Sequence, residues 1–247
     1  MANYTNSDDF SGSLFLDTNM SGSVFREADL SGVKMHGVLL IGADIDGAIE
    51  GLRVNGVEVA PLIEAELNRR QPERALLRSR TPQELREGWA WMQGIWAATM
   101  KRAEALPPAD LDRSVNDEWS FAQTLRHLIF VTDSWLSHAV LAESRPFHRL
   151  ALPAGFIDDG HTYGIDNVKS APFEEVAAAR ADRMAKVQSF LDEVTQEELE
   201  RVREPNPAPG WPSPAARTAL YCVHVVLNEE WAHHEFAVRD LAIIEAG

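Results

Sequence analysis

Residues 213–244 have the sequence SPAARTALYCVHVVLNEEWAHHEFAVRDLAII, which predicts the last and longest helix of a helical domain. The stretch opens with Ser213 and Pro214, residue types that favour the first turn of a helix. The run from Cys222 to Leu227 is apolar, and two glutamates and two histidines follow it directly. A helix with such a run buries it against other helices.

Three further long helices are predicted upstream. Thr81-Pro82-Gln83-Glu84 has the spacing of a capping box and predicts a helix that stops at Pro107. Ser120 to Gln123 forms a second box and opens a helix that runs to about Leu141. A third helix is predicted from about Pro172 to Val194. Four long helices predict a helix bundle.

The connections between these helices are unequal. The second connection, between helices two and three, has about thirty residues, whereas the first has about a dozen and the third under twenty. A connection of about thirty residues can cross the bundle, which allows helices two and three to be parallel neighbours.

The first 60 residues differ in composition from the rest. They contain no proline and no tryptophan but eight of the fifteen glycines, whereas all seven tryptophans lie from Trp89 onward. We therefore predict two domains, residues 1–60 and 82–247. Residues 61–81 are polar, with prolines and a short helical pattern at their start, which is typical of a connector.

A repeat of five residues runs through the N-terminal domain. Glycine recurs two positions after most of its central apolar residues. A helix or a regular strand would turn these central residues away from one face, whereas a coil that turns a corner every five residues keeps them inside. The central residues are Phe10, Phe15, Met20, Phe25, Leu30, Met35, Leu40 and Ile45.

This pattern resembles the pentapeptide-repeat family over about residues 6–50. The resemblance implies a right-handed four-sided β-helix with four repeats per coil, and therefore two coils here. We expect a small stabilising module or a docking surface for a protein partner. Long members of the family imitate DNA and bind topoisomerases. The nine acidic and three basic residues among the first 60 fit that role, but two coils are short for it.

Composition and charge bound the function. Apolar residues make up 45% and charged residues 25% of the 247 residues, which is ordinary for a globular protein. No apolar run reaches the roughly 20 residues of a membrane helix, and the start lacks the features of a signal peptide, so we expect a cytoplasmic protein with no membrane association. The formal charge of -15 argues against a nucleic-acid partner. The single cysteine, Cys222, excludes a disulfide framework and a CxxC site, and we expect it to be buried.

The residues that can carry chemistry lie on helices two and four. His127 lies in the otherwise apolar stretch TLRHLIF and needs a polar partner if it points inward. Glu229 and His233 are four residues apart and share one helical face, as do Glu230 and His234. Either pair could join His127 in a three-ligand metal site with an open position. The alternative is a solvated face of hydrogen-bonded glutamates and histidines.

Other catalytic patterns are absent from the sequence. It contains no HExxH, GxGxxG, GxxxxGK[ST] or GxSxG motif, so the usual grounds for a zincin, a dinucleotide-binding protein, a P-loop protein or an α/β-hydrolase are missing. The remaining histidines on the helical side have no partner at ligand spacing and are expected to be ordinary surface or core residues. They are His138, His148, His161 and His224.

The helical domain resembles the DinB superfamily over about residues 82–245. The resemblance rests on the Trp-Ser start of helix two at 119–120, on His127 seven residues after it, and on the Glu-x-Trp-x-His pattern of residues 229–233. That superfamily includes mycothiol-dependent maleylpyruvate isomerase and bacillithiol-dependent or related thiol transferases. It implies a bundle with a long crossover after helix two.

The resemblance also implies a metal site formed by His127, Glu229 and His233. Glutamate stands where many members have histidine, although the mycothiol-dependent isomerase branch also uses glutamate. The register of Trp231 favours this pair over the pair one residue further on. The N,O donor set suits zinc, which we expect first, but also nickel or another divalent ion. The resemblance further implies a low-molecular-weight thiol as cosubstrate, a small electrophile as substrate, and a homodimer.

The predicted fold is therefore mainly α with a small β part: a DinB-like four-helix bundle preceded by a two-coil pentapeptide-repeat β-helix. The first functional hypothesis is a metal-dependent, thiol-dependent transferase or isomerase. The rival is a non-catalytic interaction protein that docks a partner through the repeat. No spacing rule assigns catalytic or substrate-binding residues.

Overall fold

The computed structural model describes Tyr4 and residues 8–26, 28–157, 159–166 and 168–247. Its contacts divide the chain into two compact units, Met1–Glu50 and Gly51–Gly247. The second unit is mainly helical and contains two short antiparallel strand pairs in its described part. The strands and α-helices are β1 (Arg53–Val54), β2 (Val57–Glu58), α1 (Ala60–Arg70), α2 (Pro82–Glu104), α3 (Phe121–Thr132), α4 (Phe173–Glu193), α5 (Gln196–Glu200), β3 (Val202–Arg203), β4 (Arg217–Thr218) and α6 (Ala219–Glu245).

In the N-terminal unit a β-turn recurs every ten residues. The backbone N–H groups of Ser13, Ser23, Val33 and Ala43 each donate to the carbonyl three residues earlier, at 3.0 to 3.2 Å. The residue before each donor is a glycine with φ between 70° and 73°. A type II turn requires this left-handed conformation at its third position, and glycine adopts it without strain. Two five-residue repeats therefore form one structural unit of ten residues.

The two-coil β-helix expected from the repeat is not seen in the described residues of this unit. They contain no β-strand, and the eight central apolar side chains stay between 41% and 63% exposed. Stacked repeats bury one another's faces, and eight repeats leave no coil with a neighbour on both sides. The unit is therefore a series of turns with a half-exposed apolar row.

The predicted starts of helices one and two are confirmed. The Thr81 side chain accepts the N–H of Glu84 at 3.4 Å, and α2 begins at Pro82. Ser120 accepts the N–H of Gln123 at 3.3 Å, and the Gln123 side chain accepts the N–H of Ser120 at 2.9 Å. Only the second site is thus a reciprocal capping box, since the Glu84 carboxylate accepts from the Thr81 hydroxyl instead.

Helix two is shorter than the sequence predicts. The α-helical pattern stops at Thr132, and a π-helical turn continues the chain from Asp133 to His138. Its wider hydrogen bonds run from the N–H of Ala139 to the carbonyl of Ser134 at 3.1 Å. Polar side chains of this turn are buried in the interior, where Asp133 accepts the backbone N–H of His148 at 2.7 Å.

The start of the last helix also differs from the prediction. Residues 213–216 precede β4, which pairs with β3, and α6 begins only at Ala219. The cap is Thr218, whose side chain accepts the N–H of Tyr221 at 3.2 Å. Ser213 and Pro214 have the composition of a helix start, but the strand pairing holds the next residues extended.

The core of the second unit lies between α2, α3, α4 and α6. Both α2 and α3 pack against α4 and α6. None of the helices in the described part of the chain is long and apolar enough to cross a bilayer. Fully buried side chains include Trp89 and Met92 of α2, Leu125 and Ile129 of α3, Val176 and Leu191 of α4, and Leu227 and Leu241 of α6.

The reciprocal cap of α3 gives a testable prediction. Replacing Ser120 with alanine leaves the N–H of Gln123 without its acceptor and lowers the free energy of unfolding by about 1 kcal/mol in urea titrations. Ser120→Gly costs only a few tenths of a kcal/mol by the same measurement, because water reaches the freed N–H more easily. Equal losses in the two variants would contradict the capping role.

Candidate metal centre

Helices α3 and α6 bring three candidate metal ligands together. His127 projects from the middle of α3, whereas Glu229 and His233 lie one turn apart on α6, which packs against α3. One donor atom from each of these side chains lies within 4.8 Å of the other two. The structure therefore brings His127 together with one Glu/His pair of α6.

The two imidazoles are buried and the carboxylate is half-exposed. The side chains of His127 and His233 are 8% and 11% exposed, and that of Glu229 is 36% exposed. The Glu229 carboxylate lies 3.6 Å from Nε2 of His127. The cluster can therefore be reached from solvent on the carboxylate side.

His127 is oriented by the connection between the π-helical turn and α4, residues 139–172, which is called the crossover below. Its Nδ1 lies 3.0 Å from the backbone carbonyl of Leu152, and a carbonyl can only accept a hydrogen bond. Nδ1 therefore donates to this carbonyl, and Nε2 faces Glu229. A histidine that ligates a metal through one nitrogen commonly donates its other N–H to a carbonyl in this way.

The ring of His233 is oriented in the same way, by a carbonyl of its own helix. Its Nδ1 lies 3.0 Å from the backbone carbonyl of Glu229, one turn earlier, and 3.3 Å from the Glu229 carboxylate, so Nδ1 donates, and Nε2 has no hydrogen-bond partner among the described residues. Burial lowers the pKa of His233 to about 4, and the neighbouring imidazole of His127 acts in the same direction. The ring is therefore neutral at pH 7, which is the form that binds metals.

Glu229 is ionised beside these rings. Burial alone would raise the pKa of its carboxyl, but the hydrogen bond with His127 and the adjacent imidazoles of His233 and His127, which are cationic when protonated, lower that pKa below its usual value. The cluster thus combines one negative oxygen donor with two imidazole nitrogen donors. Such N,O sets bind several divalent first-row metals.

Aromatic side chains form one wall of this cluster. The ring centroid of Trp119 lies 4.6 Å from that of His127 and 6.1 Å from that of His233. Phe130 contacts the ring of His127 from α3, and Phe236 contacts the ring of His233 from α6. These rings limit solvent access to the imidazoles, which strengthens electrostatic interactions inside the site.

The alternative pair, Glu230 and His234, lies in a different environment. Glu230 is fully buried and accepts a hydrogen bond from Arg180 of α4. Nε2 of His234 lies 3.0 Å from the hydroxyl of Thr99 on α2, and its ring packs edge-on against Trp96. Arg180 already supplies a cationic partner for Glu230. The one-residue ambiguity in the sequence therefore corresponds to two faces of α6, and only Glu229 and His233 face His127.

The remaining titratable candidates have ordinary contacts. Nδ1 of His138 lies 3.1 Å from the amide of Asn206, and Nε2 of His224 lies 2.8 Å from the carbonyl of Ser79. His161 is exposed. Cys222 is 1% exposed, and burial raises the pKa of its thiol to about 11, so the thiol is protonated at neutral pH.

The surroundings of His127 contain contacts that the sequence reasoning did not identify. Arg126, its neighbour on α3, is 1% exposed and binds the crossover. The carbonyl of Leu152 has no sequence signature at all. An arginine inside an otherwise apolar helix is a sequence signal for such contacts, because a buried guanidinium needs several acceptors.

The donor chemistry of this cluster fits a divalent metal. Both imidazoles direct Nδ1 at a backbone carbonyl, and the third donor is an ionised carboxylate. A site with three protein ligands and an accessible fourth side is typical of catalytic rather than structural zinc sites.

Two protein families are recognised in the chain. The model of the DinB superfamily matches residues 92–237, more than half of the chain, and this range includes all three candidate ligands. The model of pentapeptide repeats matches residues 9–42 in eight copies. No curated protein and no solved structure matches the chain significantly.

The buried pair of Arg180 and Glu230 gives a second prediction. Replacing either residue with methionine leaves the other charge buried without its partner and lowers the free energy of unfolding by about 3 to 5 kcal/mol. The double variant Arg180→Met/Glu230→Met regains most of this loss, because no buried charge remains. Urea titrations of the four proteins measure both effects.

The exposed pair of Arg149 and Glu175 serves as the control for this cycle. Its side chains are 53% and 48% exposed, so single replacements there cost less than about 1 kcal/mol. If the double variant at Arg180 and Glu230 loses as much stability as the two single variants combined, the pair does not couple α4 to α6 as described.

Proposed function

Because the chain belongs to the DinB superfamily, we propose that its second unit is a metal-dependent enzyme that uses a low-molecular-weight thiol. The thiol, of the mycothiol or bacillithiol type, attacks a small electrophile in a transferase or isomerase reaction. The observation that carries this proposal is the convergence of His127, Glu229 and His233 within 4.8 Å on one half-open position.

In this proposal the metal is held by Nε2 of His127, Nε2 of His233 and the carboxylate of Glu229. Zinc is the first choice and nickel the second, since both accept this N,O donor set. A divalent ion with two neutral ligands and one anionic ligand keeps a net positive charge, which lowers the pKa of a thiol bound at the open position.

The side chains around the site supply positioning and exclusion of water. Trp119 covers the two imidazoles from one side, and the half-exposed Glu229 leaves the opposite side accessible. The carbonyls of Leu152 and Glu229 fix both rings. With its thiol protonated and buried, Cys222 takes no part, and the reacting sulfur comes from the cosubstrate.

The proposal includes the architecture expected from the family. We propose that α2, α3, α4 and α6 form a DinB-like bundle in which residues 82–247 are the functional domain and residues 61–81 a connector. The packing of both α2 and α3 against α4 and α6 supports it. The protein is proposed to act in the cytoplasm, as a homodimer, on small molecules and without nucleic acid.

The alternative function is a non-catalytic scaffold that docks a protein partner through the repeat. One observation favours it. Asp9, Asn19 and Asp29 each hold the turn that follows them by accepting an N–H at 2.8 to 3.0 Å, whereas the equivalent residue of the fourth turn is Leu39. Leu39 and Ile41 are 87% and 93% exposed. Exposed apolar pairs of this kind are typical of binding surfaces.

Cobalt substitution tests the enzyme proposal against the scaffold. Co²⁺ has visible absorption bands that change when its ligands change, so adding mycothiol or bacillithiol to the cobalt protein produces a new sulfur-to-cobalt band. His127→Ala and His233→Ala abolish the band, because each removes one of the three donors. Titration in a visible spectrophotometer gives the thiol affinity.

His224→Ala is the matched control for this experiment. It removes an imidazole of α6 that contacts only the carbonyl of Ser79 in the described structure, and the cobalt band is expected to persist. A cobalt spectrum that no thiol changes, with the metal bound, would overturn the thiol-dependent enzyme and favour the scaffold.

A further inference from the structure

Arg126 links the crossover to α3 at the residue next to His127. Its guanidinium donates to three backbone carbonyls of the crossover, those of Leu150 at 2.8 Å, Val168 at 3.0 Å and Lys169 at 3.3 Å. Among the described residues it forms no salt bridge with a carboxylate. A buried guanidinium that contacts only backbone carbonyls fixes the path of the chain that supplies them.

The held segment contacts both Arg126 and His127. The N–H of Leu152 donates to the carbonyl of Arg126 at 3.0 Å, and the carbonyl of Leu152 accepts from Nδ1 of His127 at 3.0 Å. One residue of the crossover is thus bonded to two consecutive residues of α3. The position of the Leu152 carbonyl depends on the anchoring of Leu150, two residues earlier.

We propose that Arg126 is a positioning residue for His127. By holding the crossover, it keeps the Leu152 carbonyl on Nδ1 of His127 and so leaves Nε2 directed at Glu229. The metal-binding consequence rests on the proposed function, whereas the effect on the imidazole does not. Arg126 itself touches neither the metal nor the substrate.

The start of the crossover has a separate anchor, which makes the role of Arg126 specific. Asp133 accepts hydrogen bonds from the backbone N–H of His148 at 2.7 Å and from Nε of Arg183 at 2.7 Å. Arg183 also donates to the carbonyl of Pro146 at 3.3 Å. Loss of the Arg126 side chain therefore releases the carbonyls of Leu150, Val168 and Lys169 without detaching the whole crossover.

The test measures the imidazole first, in metal-free protein. Long-range ¹H–¹⁵N spectra of histidine-labelled protein at pH 8 report which nitrogen of each ring carries the proton. His127 is expected as the Nδ1–H form in the wild type and as a mixture of tautomers in Arg126→Met. His233 keeps its Nδ1–H form in both proteins, because its acceptor is a carbonyl of its own helix.

Zinc affinity is then measured by competition with a chelator. Loss of an outer-shell contact to a ligating histidine weakens metal binding about 10- to 100-fold, and this range is expected for Arg126→Met. Arg86→Met is the matched control, because Arg86 also donates to a backbone carbonyl, that of Leu191 at 2.8 Å, but outside the site. It should leave both the tautomers and the zinc affinity unchanged.

The outcomes separate this inference from the proposed function. A folded Arg126→Met protein with the wild-type His127 tautomer and wild-type zinc affinity overturns the positioning role. If Arg126→Met does not fold, Arg126→Lys is measured instead, since an ammonium keeps the charge but cannot span three carbonyls. A wild-type His127 tautomer and a wild-type zinc affinity in Arg126→Lys also overturn the inference. If the wild type binds no zinc, the proposed function fails, and the tautomer comparison still decides the role of Arg126.

Discussion

The helical unit depends on which face α6 turns toward each of its neighbours, because two different Glu/His pairs lie on that helix. Successive residues of a helix are about 100° apart, so the two Glu/His pairs of α6 face different neighbours. Glu230 is fully buried against Arg180 of α4, and burial raises the pKa of its carboxyl while Arg180 opposes that rise. Because a buried carboxylate needs this guanidinium, α6 cannot rotate without leaving two charges unpaired. The same setting turns Glu229 and His233 toward α3.

The geometry of the candidate centre follows from hydrogen bonds outside its three donors. His233 needs only its own helix to fix its ring, since its acceptor lies one turn earlier. His127 needs the crossover, whose Leu152 carbonyl holds Nδ1. The centre therefore couples a rigid helix, α6, to a long connection that is held by polar contacts with α3.

Much of this arrangement was predictable from local sequence patterns, because short-range physics decides it. Helix α2 begins at the cap of Thr81, and i, i+4 spacing placed Glu229 and His233 on one face. Long-range contacts decide the features that local sequence patterns did not predict. The pairing of β4 with β3 delays the start of α6, and the polar contacts of Asp133 accompany the change from α3 to a π-helical turn. The central repeat residues stay half-exposed, because a periodic pattern specifies the repeat but not the burial that it achieves.

Metal content of the purified, tag-free protein tests the central claim most directly. Elemental mass spectrometry would compare the wild type with His127→Ala, Glu229→Ala and His233→Ala, and with His224→Ala as the control on the same helix. The account predicts close to one equivalent of a divalent metal in the wild type and in the control, and its loss in the other three variants. A wild type that holds no metal after reconstitution, or a metal retained in all three variants, would contradict the account.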